Sequence, residues 1–503
     1  MHINNLPQEI LKLVFEKLAE PRRPSHDDIV THNPIYNLRK ARRVCRLWNL
    51  IITPHLYSTI SLKHKQGGGW RDQEFESWNR IIDLPIAKKA ARCVIINTAP
   101  SDRYRDIDDE QWNQGTFPAF TSAMDRLIEL PNITSLCIRF HESCLGRRRN
   151  GNGEIDDDDD EAFIDLDEAG GFKEMPGTRR RFLEAVFAAI NKRATNLQNS
   201  TISSLTIFNL QNLASQDLCV SQLSRNVMRN IAKLHLYIIE ETLWEGDHFE
   251  VDLYRPERYT YEPFLQTAIL QVLSSQLTYL NLRFRQHWGT APGYFDGRDL
   301  MLPHLRTLIL GNFVISHRHH LDWVLAQTGL RRLRFEDCRI LRNFTVRDES
   351  ANTWGLRTHD WLFAPNTVDG RKNPGDDNVS YIYPGTWDQV FQDIKQSLSC
   401  LVDMQVQLSW YGPLSKGKKP LLPYDGYISF HEGYIPPWLS SHGDFDWRGK
   451  YHLDLARGSW GPETRKLRDD PIRREESERF ARESYKRDID SLSSLLEEMS
   501  SKA

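Results

Sequence analysis

One pattern constrains this chain more than any other: an aliphatic triplet, the second residue three places and the third five places after the first, recurs through its middle. It reads Ile133-Leu136-Ile138, Ile202-Leu205-Ile207, Ile231-Leu234-Leu236, Leu277-Leu280-Leu282, Leu305-Leu308-Leu310, Leu330-Leu333-Phe335 and Leu401-Met404-Val406, with Val94-Ile95-Ile96 as a weaker first member. The last two residues of each triplet are two apart, the period of a strand with one buried face. Starts 202 and 231, 277 and 305, and 305 and 330 are separated by 29, 28 and 25 residues, a spacing typical of stacked supersecondary repeats. The wider gaps, 133 to 202, 231 to 277 and 330 to 401, require long insertions. Helix-like stretches lie between triplets at Arg181–Lys192, Ser316–Gln327 and Trp387–Leu398. Such a unit cannot bury its own apolar face, so neighbours must stack as parallel strands with helices behind them.

Composition narrows the function classes. Among 503 residues, 65 Lys and Arg against 68 Asp and Glu leave a net charge of −3, which speaks against nucleic acid or an anionic membrane as the main partner. No apolar run reaches the length of a membrane span. The N-terminus lacks the basic-then-apolar layout of a secretory signal. Seven scattered cysteines with no C-x-x-C pair predict reduced thiols, no structural zinc and a cytoplasmic or nuclear location.

The first sixty residues differ from the middle. Pro7 and Glu9 suit the first turn of a helix, and Ile10, Leu11, Val14, Phe15 and Leu18 form one stripe at helical spacing. Residues 20–37 read as a loop. A second helix is expected from about Leu38 to Pro54, with Val44, Cys45, Leu47, Trp48, Ile51 and Ile52 on its apolar side, and Leu56, Tyr57 and Ile60 as a short apolar tail. A unit this small buries little surface on its own. Leu6-Pro7-Gln8-Glu9-Ile10-Leu11, Phe15, Leu18, Val44-Cys45-Arg46-Leu47-Trp48-Asn49 and Leu56-Tyr57 resemble an F-box, whose pattern is L-P-x-E-[IL]-L, an apolar helix, V-C-x-x-W and a closing L-[WY]. The resemblance covers about 60 residues and departs from the family in its long first loop, which a surface position tolerates. It implies docking to the Skp adaptor of cullin–RING ubiquitin ligases, with Leu6, Pro7, Ile10, Leu11, Phe15, Leu18, Val44, Cys45 and Trp48 as the adaptor-facing and core surface.

With the triplets, the layout resembles fungal F-box proteins that carry an irregular leucine-rich-repeat-like domain. The expected fold class is therefore α/β: a small helical F-box, an irregular leucine-rich-repeat-like solenoid with helices on its convex side, and a C-terminal helix. The expected organisation is an F-box domain at 1–62 with a loop insertion at 20–37, and a linker at 63–90. A repeat-like domain follows at 91–410 with an acidic loop at 150–170, then an irregular aromatic, Gly- and Pro-rich region at 411–462 and a charged helix at 463–503. Such a protein is a substrate receptor of an SCF-type ligase with no active site of its own; the alternative is an F-box scaffold outside any ligase.

If the triplet residues point inward, the residues between them line an open face: among them Tyr237, Tyr279, Asn281, Arg283, Arg332 and Arg334. Tyrosines suit an interface, and the three arginines suit an acidic or phosphorylated protein segment. Other features carry less. Gly412–Lys419 nearly spells a phosphate loop, but Lys419 stands where a Ser or Thr must reach magnesium, and Pro420 follows. His317, His319 and His320 near Asp322 do not share one helical side. Asp156–Asp160 lacks the alternation of a calcium loop and reads as a solvated loop. No cofactor and no metal are expected. At the C-terminus, Tyr485, Ile489, Leu492, Leu496 and Met499 form a two-heptad seam that either packs back or meets a partner helix.

Overall fold

The computed structural model describes residues 7–19, 34–64, 75–99, 118–145, 174–214, 221–241, 255–364, 367–368, 371–372, 378–407, 426–431 and 471–502. The chain divides into two compact units, one formed by 1–141 with 171–208 and one by 142–170 with 209–503. The Gly412 motif and the acidic run lie outside the described residues.

Among the described residues, the first unit opens with α1 (Gln8–Ala19), α2 (Pro34–Ala41) and α3 (Arg46–Leu56). The expected single second helix is thus two. Pro34 begins α2, a position that suits proline, and Cys45 is extended at φ −158, so the chain breaks before α3. Pro54 does not end α3; it sits in its last turn, where the Thr53 hydroxyl donates to the Asn49 carbonyl at 2.6 Å. After β1 (Thr59–Leu62) come α4 (Glu76–Asp83), α5 (Pro85–Ala90), β2 (Cys93–Asn97), α6 (Pro118–Asp125), β3 (Ser135–Arg139), α7 (Pro176–Ala194) and β4 (Ser204–Gln211). The stretch expected as a linker carries α4 and α5. Trp78 and Ile82, one helical turn apart, are buried, and the Trp78 indole donates to the Ala123 carbonyl at 2.9 Å.

Strands β1 to β4 are parallel, and their apolar residues stand in rows: Ile60, Val94, Leu136 and Leu205 in one, Leu62, Ile96, Ile138 and Ile207 in the next. All eight are buried. The apolar tail after the helices is therefore the first strand of the ladder. Arg193 holds the turns that feed it: its guanidinium donates to the carbonyls of Leu130, Pro131, Ile133 and Ser200. The Pro131 carbonyl also accepts the Ser200 N–H at 2.7 Å, and the guanidinium adds a charged donor to these turn carbonyls. Burial pushes the Arg193 guanidinium down to about 10.

The second unit contains α8 (Gln222–Met228), β5 (Lys233–Ile239), α9 (Pro256–Phe264), β6 (Tyr279–Trp288), β7 (Thr307–Ile315), α10 (Asp322–Leu325), β8 (Arg332–Glu336), β9 (Arg339–Arg347) and α11 (Asp348–Thr353). It continues with β10 (Leu362–Ala364), β11 (Thr367–Val368), β12 (Arg371–Lys372), β13 (Asn378–Ile382), α12 (Trp387–Ser397), β14 (Asp403–Gln407), β15 (Tyr427–His431) and α13 (Pro471–Lys502). Strands β5, β6, β7, β8 and β14 are parallel neighbours. Leu234, Leu280, Leu308, Leu333 and Met404 form one row and Leu236, Leu282, Leu310, Phe335 and Val406 the next. Only Val406 of these is incompletely buried. Side chains where the even pairing of the strands lapses lock neighbours together. Asn312, at φ 58, donates its amide to the Phe284 carbonyl at 2.7 Å, and the Cys338 thiol donates to the Leu310 carbonyl at 3.2 Å.

The parallel order then changes. Asp337 takes φ 54, and β9 begins beyond it. Strand β9 pairs with the far end of β7 at Val314 and Ile315, and runs antiparallel to β13 and parallel to β15; β13 is antiparallel to β10. Strand β15 falls in the region expected to be irregular. The helix expected over Ser316–Gln327 is only a 3-10 turn at Arg318–Leu321 followed by the four residues of α10. The His320 ring takes the Ser316 N–H there, at 3.2 Å.

Helix α13 packs back on α12. Among its described side chains the buried ones are Ser484, Asp488, Leu492, Leu495 and Met499, so the expected seam is rotated at most of its positions. The cause is polar. Asp488 accepts the Asp388 N–H at 2.9 Å and the Tyr427 hydroxyl at 2.8 Å, placing a carboxylate at the N-terminus of α12, where the helix dipole favours it. The overall class is mixed α/β, with an N-terminal helical region, a mostly parallel sheet and a C-terminal helix. Among the described residues no helix is long and apolar enough to cross a membrane.

Two predictions follow from this core. Leu308→Ala, in the middle of a row, should cost about 2–5 kcal/mol, measured as a shift of the denaturant midpoint. Burial also pushes the Glu262 carboxyl up to about 8, despite the Gly289 N–H that bonds to it. A carboxyl raised in the folded state contributes stability that is fully present below its unfolded value and lost as pH rises through 8. Glu262→Gln should therefore lie closest to the wild-type melting temperature at pH 5 and gain on it steadily toward pH 8.5. A constant difference across that range would contradict the assignment.

Candidate functional site

Two surfaces deserve description, one in each unit. The first is the helical cluster at the start of the chain. Leu11, Phe15, Leu38, Ile51 and Ile52 form its core, with Ala41, Leu47, Trp48 and Leu56 packed against it. Phe15 and Trp48 meet edge to face with ring centroids 5.0 Å apart. The Pro7 carbonyl accepts the N–H groups of Ile10 and Leu11, each at 3.1 Å, which starts α1.

The nine residues expected here play different parts. Leu6 lies outside the described residues. Leu11 and Phe15 are core, Trp48 is half-buried core, and Cys45 is the extended residue before α3. Pro7 is exposed. Ile10, Leu18 and Val44 remain open, Val44 at 58%. Val14, a member of the expected stripe, joins them, as do Leu13, at 57% exposed, and Leu50, at 71%, which lie outside the motif pattern. Ile10, Leu13, Val14 and Leu18 share one side of α1 because residues three and four apart are neighbours on a helix. The helices thus close a small core and still present apolar side chains outside it. The signal for Leu13 and Leu50 was present in the sequence: each is an apolar residue on a helix whose buried side is already supplied by others.

The second surface is the open face of the parallel strands in the second unit. Register sets three rows across it: Lys233, Tyr279, Thr307, Arg332 and Asp403; His235, Asn281, Ile309, Arg334 and Gln405; and Tyr237, Arg283, Gly311, Glu336 and Gln407. The His235 and Tyr279 rings stack at 4.5 Å. Burial, with Lys233 nearby, holds the His235 imidazole down to about 4, so it is neutral at pH 7.

All six residues expected on this face are on it, but the arginines are not three open charges. Arg283 Nη1 meets Glu336 Oε2 at 2.8 Å, and Arg334 Nε meets Glu336 Oε1 at 2.7 Å; Arg283 also faces Asp337 at 3.6 Å. Arg332 is exposed, and its Nε donates to the Thr307 hydroxyl at 3.1 Å. The Arg283–Glu336 pair spans the strand between them, and it can do so only because Gly311 occupies that strand. A Cβ at position 311 would lie 2.5 Å from the Arg283 Cγ. Alternation along the strands puts Glu336 on the same face as the three arginines, but that Arg283 and Glu336 pair across Gly311 is a property of the register.

Residues 3–63 match the family model described as F-box-like. No curated protein matches the chain. Domains of this family mediate protein–protein interaction, typically docking to the Skp adaptor, and the chain carries one such domain over about its first sixty residues.

Gly311→Val should separate Arg283 from Glu336 and crowd the face. A loss of about 1–3 kcal/mol is expected from such overpacking, read from the denaturant midpoint, and smaller when Arg283→Ala, which removes the Cγ and Cδ that a Cβ at 311 would meet, is already present. Equal losses in both backgrounds would show that the ion pair does not depend on the glycine.

Proposed function

We propose that this protein is a substrate-recognition subunit of an SCF-type cullin–RING ubiquitin ligase, non-catalytic in itself. The helical domain at its start binds the Skp adaptor, and a leucine-rich-repeat-like array of stacked strands offers its open face to a target protein. Ubiquitin transfer belongs to other subunits, and this chain contributes proximity.

The observation that carries the reading is the exposure of Ile10, Leu13, Val14, Leu18, Val44 and Leu50 on a helical cluster whose own core is already complete. Full burial of apolar side chains of this size is worth about 1.5–3 kcal/mol each, and a second polypeptide can supply the part of it that their exposure leaves. Leu11, Phe15 and Trp48 hold the surface in shape; Ile10, Leu18 and Val44 belong to the contact. On the open face, Tyr237, Tyr279 and Asn281 offer aromatic and amide contacts, and Arg332 with Lys233 supplies the charge available to an acidic segment. Arg283 and Arg334 act through Glu336, as parts of a polar row that sets the shape of the face.

Leu13→Asp and Leu50→Asp should each weaken binding of the Skp adaptor more than tenfold, in co-purification and titration calorimetry, without lowering the melting temperature. Retained binding in both variants would remove this surface from the contact, and failure of the wild type to bind the adaptor would remove the adaptor role. Recovery of a cullin with the wild-type complex distinguishes a ligase receptor from a scaffold that binds the adaptor alone.

A further inference from the structure

The end of β7 and the segment after α11 bring together a set of side chains that chain order keeps about forty residues apart. His319 lies on the 3-10 turn Arg318–Leu321, and His359 and Asp360 lie just before β10. One ligand atom from each of these three residues falls within 4.8 Å of the other two. The Asp360 Oδ2 stands 3.8 Å from His319 Nδ1 and 3.7 Å from His359 Nε2.

These separations are too long for hydrogen bonds, which need roughly 2.7–3.2 Å between N and O. They suit atoms that share one ion. Bonds of about 2.0–2.2 Å from imidazole nitrogen and carboxylate oxygen to a tetrahedral cation place neighbouring ligands roughly 3.4 Å apart, a few tenths of an ångström below the two Asp360–histidine separations; the two imidazole nitrogens lie within 4.8 Å of each other and would draw together on the ion. The set is also held from behind. The His319 Nε2 pairs with the Tyr294 hydroxyl at 2.7 Å, leaving Nδ1 toward the cluster, and the Arg318 N–H donates to Asp360 Oδ2 at 3.0 Å. The Arg357 guanidinium lies 4.0 Å over the Tyr294 ring. Outer partners of this kind fix the tautomer and aim of a metal-binding histidine. The three side chains are reachable from solvent: His319 is 30% exposed, His359 55% and Asp360 29%.

We propose that His319, His359 and Asp360 form a binding site for a divalent cation of the zinc class. Two imidazoles and one carboxylate, with no thiolate, match zinc and its neighbours and not magnesium or calcium, which take oxygen donors. Three protein ligands leave a fourth position open to water or to a donor from another molecule. The bound ion would clamp the 317–321 turn to the 357–361 segment. This site is independent of the adaptor surface and of the open strand face. The histidine cluster visible in the sequence, His317, His319 and His320 with Asp322, is not the ligand set. His317 and His320 are buried, and His317 Nε2 is bonded to the Arg357 carbonyl at 2.8 Å.

The test is titration of the untagged full chain with zinc(II), with cobalt(II) as a spectroscopic probe and magnesium as the contrast. One zinc per chain is expected, with tetrahedral or five-coordinate cobalt bands and no matching affinity for magnesium. His359→Ala and Asp360→Asn should each weaken zinc at least tenfold, and Tyr294→Phe, which acts through His319, about 10–100-fold. His304→Ala, an exposed histidine outside the cluster, should change nothing. His359 is more than half exposed, so its variant should keep the metal-free melting temperature and lose only the increase that zinc brings. Absence of zinc binding to the wild type, equal binding of magnesium, or zinc affinity unchanged in both His359→Ala and Asp360→Asn would overturn the site.

Discussion

Everything in this fold rests on rows of aliphatic side chains that stack from strand to strand. A single strand with Leu at alternate positions buries one edge of each leucine at most; a neighbour in the same register buries the rest. Leu234, Leu280, Leu308 and Leu333 meet in this way, as do Ile60, Val94, Leu136 and Leu205 in the first unit. A slip of one residue would turn every such side chain to the opposite face. The rows therefore fix which residues face outward, and so they also fix the composition of the open face.

That dependence explains the polar chemistry outside the rows. Arg283, Gly311 and Glu336 stand side by side because Leu282, Leu310 and Phe335 do. An arginine reaching across a glycine to a glutamate two strands away is a long-range pair with no local signature. The side chains where the even pairing lapses follow the same logic: Asn312 and Cys338 bond to carbonyls of the preceding strand, satisfying backbone groups there. Arg193 adds a charged donor to the turns ahead of β3 and β4.

The opening helices obey a different economy of surface. A cluster of about fifty residues has too little interior to hide all its apolar side chains. Leu11, Phe15, Ile51 and Ile52 fill the core, and Leu13, Val44 and Leu50 are left facing outward. Their exposure follows from the size of the unit together with the width of the apolar stripe on α1, and it is what equips the domain to bind.

The sequence alone determined the local rules: the triplets that became strands, the stripe from Ile10 to Leu18 that became α1, the motif residues of the opening domain, α12 close to its observed bounds, and a charged C-terminal helix. These depend on spacing along the chain, where periodicity reports directly on which side is buried. Tertiary structure decided what chain distance hides. It divided the expected second helix at Cys45, turned Ile60 and Leu62 into the first strand of the ladder, and rotated α13 so that Asp488 could reach the first turn of α12. It committed Arg283 and Arg334 to Glu336, and it brought His359 and Asp360 to His319. Apart from the break at Cys45 and the Arg334–Glu336 pair, whose members lie on one strand, each of these outcomes is a contact between residues tens of positions apart, and no periodicity within a helix or strand encodes which distant partner a side chain will find.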